Sequence, residues 1–523
     1  MSTSNVQKPF SSKSFLSFGI NYIAGFGFIA TAMSLFSLGS LWILVFAICS
    51  LIAFAVMLSF SKMSETSSDR FGGPYIYASE AFGRKSLASR MFVFLTGWNN
   101  YLGPLMYSAA APLFLISVFA DFIDTNNPGA KWGLIIAGLV IFVLIVFIST
   151  LGYKLSKGLV LFFATIKWLI IATSMVFAIV LIAQTAGIGF SENYLLSYKN
   201  TPNEINLSKF ITIITAFFFS YVGLEDISTM SPEVKTKSFK KILNLIFIVV
   251  FIIYAVGLLI FSGLPIGNNQ GSETQTRIKS YSDIYRAVGG ITALSFFAIG
   301  SFSNSIASRI SITLANSFKL VPLSEDGYLP KYFLVKNSKN KFSRIIYLTL
   351  ILTLTLMFLI FFVSLASGSR DFNSAVSKSA SIGGASALVQ YFLAFITFFV
   401  YHYKGKLKDK NNWKNIASLI IQSISLILIL MILFLFFFPI DTKIVDGKTI
   451  VFLNWTIQNT LNITLYPLVL LLGYVLFFIA EHTWKRENQI NLTLIQTSRT
   501  HAIKRKYQFF STNSSSNLDQ ENQ

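Results

Sequence analysis

Long apolar segments alternate with short polar loops along most of the chain, and a polar tail follows the last of them. Twelve of these segments approach the roughly 20 residues that a helix needs to cross the hydrocarbon layer of a bilayer. The pattern predicts an all-α polytopic membrane protein with about twelve transmembrane helices. The predicted spans are 15–37, 41–63, 91–119, 132–151, 158–185, 210–230, 242–264, 285–320, 345–367, 382–402, 413–438 and 458–482.

The first apolar segment is interrupted near its centre by two glycines, Gly25 and Gly27, in the run INYIAGFGFIATAM. Each interior glycine costs a helix roughly 1 kcal/mol relative to alanine. Unwound backbone persists within a membrane only where it is buried in protein or lines a wet cavity. The break is therefore a candidate ligand site, although glycines in a span also serve close helix packing.

A second interruption occurs in the sixth apolar segment, where Ser220, Gly223, Glu225 and Asp226 break a run of Phe and Ile. A carboxylate near the bilayer centre costs roughly 2.5–3.5 kcal/mol, so we expect these side chains to face a cavity. Adjacent helical positions point about 100° apart, so at most one carboxylate points directly at a given site. The alternative is that both mark the cytoplasmic end of the span.

The two interrupted spans are five apart, and paired broken helices in corresponding positions are typical of inverted-repeat transporters. The two breaks therefore predict an inverted repeat whose site lies at the midplane of the bilayer, between helices 1 and 6. The predicted units are a cytoplasmic N-terminus (1–14), two five-helix repeats (15–185 and 208–402), two additional helices (413–482) and a disordered cytoplasmic tail (483–523).

Composition supports the membrane class: 54% of the 523 residues are hydrophobic and only 12% are charged. The net charge of +20 is concentrated in alternate loops, as the positive-inside rule requires, so it predicts cytoplasmic termini in the cell membrane rather than nucleic-acid binding. The single cysteine and the three scattered histidines have no metal-ligand spacing. No metal or cofactor is expected.

Four short passages resemble the amino acid, polyamine and organocation (APC) superfamily of transporters. They are GFGF at 25–28, GGPYIY at 72–77, the stretch from Phe217 to Lys235 ending in PEVK, and DGYLP at 326–330. The likeness extends over about residues 17–402 of the chain. One departure is Phe26, which stands where the family usually has a small serine.

The resemblance implies the five-plus-five inverted-repeat fold with discontinuous helices 1 and 6 and two extra helices. It also implies secondary transport of amino acids or related amines. Amides at the first break suit a substrate carboxylate, and carbonyls freed at both breaks suit its ammonium. Phe219 matches an aromatic gate in relatives, although a phenylalanine in such a run is more often packing. The predicted substrate-binding residues are Gly25, Phe26, Gly27, Phe28, Phe218, Phe219, Ser220 and Gly223.

Two further residues are predicted to take part in coupling, which makes transport sodium-independent and either proton-coupled or exchanging. Lys167 lies well inside the fifth apolar segment, and the resemblance implies that it replaces a sodium ion bound by other relatives. The alternative is a lysine that snorkels to the interface. Glu225 matches an acidic position of the sixth span in some relatives, and Arg309 either pairs with a carboxylate there or snorkels.

Other functional classes have less support. The chain has no nucleotide-binding loop of the GxxxxGK[ST] type and no repeated filter segment, which argues against direct use of ATP and against a channel. No catalytic cluster indicates an enzyme. The remaining alternatives are an amino acid sensor that binds without net flux and an exchanger of polyamines or organic amines.

Overall fold

The computed structural model describes 10–66, 71–109, 111–112, 119, 122–123, 127–151, 153–184, 207–236, 238–264, 278, 280–339, 341–366, 372–407, 412–445, 448–453 and 464–483. The predicted disordered tail, apart from its first residue, and the first nine residues of the predicted N-terminal segment lie outside this part of the chain.

The described chain is mainly helical. In the first half the helices are α1 (Ser12–Ile23), α2 (Phe26–Leu35), α3 (Trp42–Met63), α4 (Pro74–Phe82), α5 (Leu87–Ser108), α6 (Pro128–Ile148) and α7 (Tyr153–Gln184). Those that follow are α8 (Leu207–Phe218), α9 (Leu224–Ser228), α10 (Phe239–Phe261), α11 (Tyr281–Lys319), α12 (Val321–Glu325), α13 (Ser343–Ala366), α14 (Phe372–Tyr403), α15 (Asn412–Phe437) and α16 (Thr464–Thr483).

Length and apolar character confirm the predicted class. In the described residues, nine helices are long and apolar enough to cross a membrane, and α6 adds a shorter apolar stretch, Trp132–Ile148. Exposed Ile, Leu, Val and Phe side chains cover the outer faces of α6, α15 and α16, as expected where lipid replaces water. The chain is an all-α polytopic membrane protein.

Two small sheets accompany the helices. Strand β1 (Phe10–Ser11) pairs in parallel with β2 (Val234–Lys235), which ties the start of α1 to the loop after α9. Strands β3 (Ile440–Val445) and β4 (Lys448–Leu453) form an antiparallel hairpin between α15 and α16. The apolar pattern did not predict this hairpin.

Helix α11 begins four residues earlier than predicted because a capping box defines its start. Ser280 Oγ accepts a hydrogen bond from the Asp283 amide, and the Asp283 carboxylate accepts one from the Ser280 amide. The helix then kinks at Gly289 and Gly290, where Gly290 has a φ of 58°. The kink sets the direction of the inner part of α11, which forms one wall of the functional site.

Helices α7 and α11 pack closely at Gly300. A Cβ added to Gly300 would overlap Ile170 Cγ1 and would lie 3.0 Å from Ile170 Cβ. We expect Gly300→Ala to destabilise the fold by about 1–3 kcal/mol through overpacking. The measurement is the thermal midpoint of the detergent-purified protein.

The matched control is Gly158→Ala on α7, because a Cβ there meets no atom within 4 Å. This change should leave the midpoint unchanged or raise it, since alanine favours a helix over glycine by roughly 1 kcal/mol. Equal midpoints for the two variants would contradict the close α7–α11 contact.

Candidate functional site

The first predicted break is a true interruption between α1 and α2. The Ala24 amide makes the last helical hydrogen bond of α1, to Ile20 O at 2.9 Å. Gly25 is then extended, with φ −129° and ψ −150°, and α2 begins at Phe26 without a side-chain cap. The first amides of α2 therefore present the positive end of a helix dipole without a side chain to neutralise it.

The second break separates α8 from α9. A 3-10 turn (Phe219–Tyr221) follows α8, Val222 is extended, and Gly223 has a φ of 120° that favours glycine. A Cβ on Gly223 would also lie 2.6 Å from the Tyr22 ring. Only glycine therefore fits both the backbone conformation and the contact with α1.

The two breaks contact each other directly. The Thr31 hydroxyl donates to Gly27 O at 2.7 Å and lies 2.9 Å from Ser220 Oγ. Because a hydroxyl has one proton, Ser220 is the donor to Thr31. A Cβ on Gly27 would lie 3.1 Å from Phe219 O, so glycine permits this close approach of the backbones.

Tyr254 of α10 bridges the same two breaks from behind. Its hydroxyl lies 3.1 Å from Ile23 O and 2.8 Å from Ser220 O, so one proton is shared between two carbonyls. Its ring stacks on Phe28 with centroids 4.3 Å apart and an interplanar angle of 4°. Tyr254 therefore fixes the positions of the two interruptions relative to each other.

Lys167 of α7 lies against the end of α1. Its Nζ donates to Asn21 O at 2.8 Å and to Ala24 O at 2.6 Å. The side chain is only 1% exposed, so it does not snorkel to an interface. The ammonium therefore meets carbonyls that the interruption has left without helical donors, at the negative end of the α1 dipole.

Glu225 and Asp226 are both buried and point to different partners. Glu225 Oε2 accepts hydrogen bonds from the Tyr391 hydroxyl at 2.7 Å and from the Gly223 amide at 3.2 Å. The divergence agrees with the expectation that adjacent positions on a helix cannot face one site together. Glu225 thus fixes α9 against α14.

Asp226 is the centre of a buried charge network. It forms an ion pair with Lys319 of α11 and accepts a hydrogen bond from the Tyr22 hydroxyl of α1. Both members of the ion pair have fully buried side chains, and Lys319 also donates to Asn100 O at 2.8 Å. This network joins α1, α5, α9 and α11 on one side of the breaks.

A cavity of about 80 Å³ opens between the two breaks. Four of its residues lie on α11 at spacings of i, i+3, i+4 and i+7, so they form one face of that helix. The cavity is lined by Tyr22, Ile23, Gly25, Gly27, Tyr107, Ala111, Phe219, Val222, Ser305, Ser308, Arg309 and Ile312.

The structure places three of the predicted binding residues, Gly25, Gly27 and Phe219, on the wall of this cavity. The side chain of Phe26 lies outside the described residues. Four others support the wall through contacts with neighbouring side chains. Phe28 contacts Tyr254, and Phe218 contacts Tyr391. Ser220 contacts Thr31, and Gly223 lies against Tyr22. Their roles in binding stay predictions.

Several site residues were not predicted. Lys319 rather than Arg309 pairs with Asp226, and Arg309 lies on the cavity wall with its Nη1 donating to Ser108 Oγ. The sequence of α11 does contain polar residues at helical spacing, Ser305 among them, and this pattern could have indicated the wall. Tyr254 carried no comparable signal.

The fold and the site define a polytopic membrane protein with a small cavity between two interrupted helices, an arrangement typical of secondary transporters. The chain belongs to the amino acid permease family, whose sequence model matches residues 10–460. This match confirms the resemblance to the APC superfamily and identifies a family of transporters rather than enzymes.

Related chains from two mycoplasmas match over nearly their whole length. The uncharacterized protein MG225 of Mycoplasma genitalium is 39% identical over 497 residues, covering 94% of this chain and 99% of the relative. The uncharacterized protein MG226 of the same organism is 33% identical, covering 93% and 98%. The MG226 homolog of Mycoplasma pneumoniae is 31% identical, covering 91% and 95%.

The buried ion pair gives a stability prediction. We expect Asp226→Asn to destabilise the protein by about 3–5 kcal/mol because it leaves the Lys319 ammonium buried without its carboxylate. Adding Lys319→Met should recover part of this loss, since no uncompensated charge then remains. Thermal midpoints of the purified variants measure both effects.

The control is Glu65→Gln, which removes the carboxylate from a partly exposed pair with Lys240 at 3.3 Å. Its cost should be no more than about 1 kcal/mol. A double variant at Asp226 and Lys319 less stable than Asp226→Asn alone would contradict the assigned role of the pair.

Proposed function

We propose that the protein is a secondary active transporter that moves amino acids across the membrane by alternating access. One observation carries the proposal: two interrupted helices meet at a single small cavity, and the helix that begins at the first break has no side-chain cap. Within a bilayer, backbone groups freed by such breaks are tolerated only where they are buried or line a cavity. A zwitterion suits these backbone groups, because its carboxylate accepts hydrogen bonds from amides and its ammonium donates them to carbonyls.

The two charged groups of the substrate bind at opposite sides of the cavity. Its carboxylate accepts hydrogen bonds from the uncapped amides at the start of α2, between Gly25 and Phe28. Its ammonium faces the carbonyls of the second break, near Phe218, Ser220 and Gly223. Phe219, which is half-buried and lines the cavity, covers the substrate as an aromatic gate.

The ammonium of Lys167 lies next to the first break, where it contacts Asn21 O and Ala24 O. Two backbone carbonyls directed at one point would otherwise suit a metal cation with oxygen ligands. The lysine therefore makes transport independent of sodium, and a lysine that gains and loses its proton in this position couples transport to protons or supports exchange. Glu225 takes part in the same coupling.

The proposed architecture contains twelve spans with both termini in the cytoplasm. Two inverted five-helix repeats, 15–185 and 208–402, place the α1–α2 and α8–α9 breaks at equivalent positions. The two further spans lie within 413–482.

The decisive experiment measures flux of labelled amino acids into proteoliposomes that contain the purified protein. Uptake is compared with and without a sodium gradient and at two pH values. Concentrative uptake that follows the pH gradient, or exchange against internal amino acid, is the expected result. Binding without flux would favour the sensor, and flux of diamines alone would favour the amine exchanger.

Lys167→Ala tests the role of the lysine. We expect wild-type uptake to be independent of sodium and the variant to lose at least about tenfold in uptake, because two carbonyls lose a charged donor. Lys240→Ala, which removes a lysine from a partly exposed ion pair, serves as the control and should retain uptake. Sodium-dependent uptake that survives Lys167→Ala would overturn the assignment.

Glu225→Gln tests proton coupling. The substitution retains the shape of the side chain and an acceptor for Tyr391 but removes the titratable group. We expect the pH dependence of uptake to fall much more than the amount of folded protein in the membrane. Equal losses in both measurements would assign Glu225 a structural role.

A further inference from the structure

Arg309 is a buried cation on the wall of the cavity. Its side chain is 8% exposed, its Nη1 donates to Ser108 Oγ, and its guanidinium carbon lies 5.3 Å from the centre of the Phe142 ring. Its Nε is buried and has no hydrogen-bond partner among the described residues. The guanidinium has five N–H donors, and among the described residues it uses them only in the Nη1 bond to Ser108, so Arg309 on the cavity wall retains donors for a ligand.

The carboxylates on α9 do not serve as partners of Arg309. Asp226 is held by Lys319 and Tyr22, and Glu225 is held by Tyr391. In the described part of the chain, Arg309 forms no ion pair. A buried guanidinium without a counter-charge is costly, so an anion that enters the cavity gains a favourable partner.

Arg309 also lies near the place proposed for the α-carboxylate without occupying it. The adjacent Ser308 lies close to the first break, since a Cβ added to Gly25 would be 3.3 Å from Ser308 Oγ. The cavity therefore has two separate groups that attract anions: the amides at the start of α2 and the guanidinium on α11. One substrate with two carboxylates engages both.

We infer that the substrate is an amino acid with an acidic side chain, and that Arg309 forms an ion pair with the side-chain carboxylate. This inference rests on the proposed amino acid transport and specifies its substrate class. A guanidinium on the wall also opposes a diamine or polyamine, because like charges repel at short distance.

The test compares aspartate with asparagine, which has nearly the same shape but no side-chain charge. Uptake of one of these two amino acids, labelled, into proteoliposomes is measured while the other, unlabelled, competes with it. We expect aspartate to be preferred about 10- to 100-fold, the range for a buried hydrogen bond to a charged group. Equal uptake, or a preference for asparagine or alanine, overturns the inference and leaves amino acid transport intact.

Failure of the proposed function gives a different result. If no amino acid binds or moves in the same vesicles, both the proposed transport and the inferred substrate class are rejected. The wild-type competition thus decides the substrate class even if a variant of Arg309 fails to fold.

Arg309→Gln identifies the residue responsible. We expect the ratio of aspartate to asparagine uptake to fall to near unity, because the pairing with the side-chain carboxylate is lost. The control is Arg286→Gln, which removes the same charge from an exposed position on α11 and should retain the preference. An aspartate preference unchanged by Arg309→Gln overturns the assignment.

Discussion

The structure depends on satisfying the backbone that the first interruption exposes. Ending α1 in the membrane leaves carbonyls without helical donors, and a bilayer supplies no water to replace them. Lys167 donates to two of these carbonyls, Asn21 O and Ala24 O, and Tyr254 lies within reach of a third, Ile23 O. With these donors in place, the chain can remain unwound and the amides of α2 can face a cavity.

The second interruption imposes a related constraint on charge. Buried carboxylates on α9 are tolerated because each has its own partners: Lys319 and Tyr22 for Asp226, and Tyr391 for Glu225. These contacts also connect α9 to α1, α11 and α14, so a movement of α9 changes the surroundings of both carboxylates. The cavity is left with a cation on its wall and no described carboxylate there.

Sequence predicted the parts of this arrangement that depend on local chemistry. Paired glycines weaken a helix wherever they occur, so Gly25 and Gly27 indicated the break, and a lysine within an apolar segment drew attention to Lys167. The Tyr254 bridge could not be predicted in this way, because a tyrosine in an apolar run gives no sign of which carbonyls it meets. The partner of Asp226 likewise depends on how α11 packs, which selects Lys319 over Arg309.

The bridge by Tyr254 relates the unwound backbone to the ammonium of the proposed substrate. One hydroxyl proton cannot satisfy Ile23 O and Ser220 O fully at the same time, although both lie within 3.1 Å. Ile23 O also accepts the Gly25 amide at 2.7 Å, and Ser220 O is the closer partner of Tyr254. Each carbonyl nevertheless has two lone pairs, so acceptor capacity remains at both breaks. The proposed substrate has an ammonium with three donors, and two interrupted helices in contact offer it more acceptors than one interruption alone.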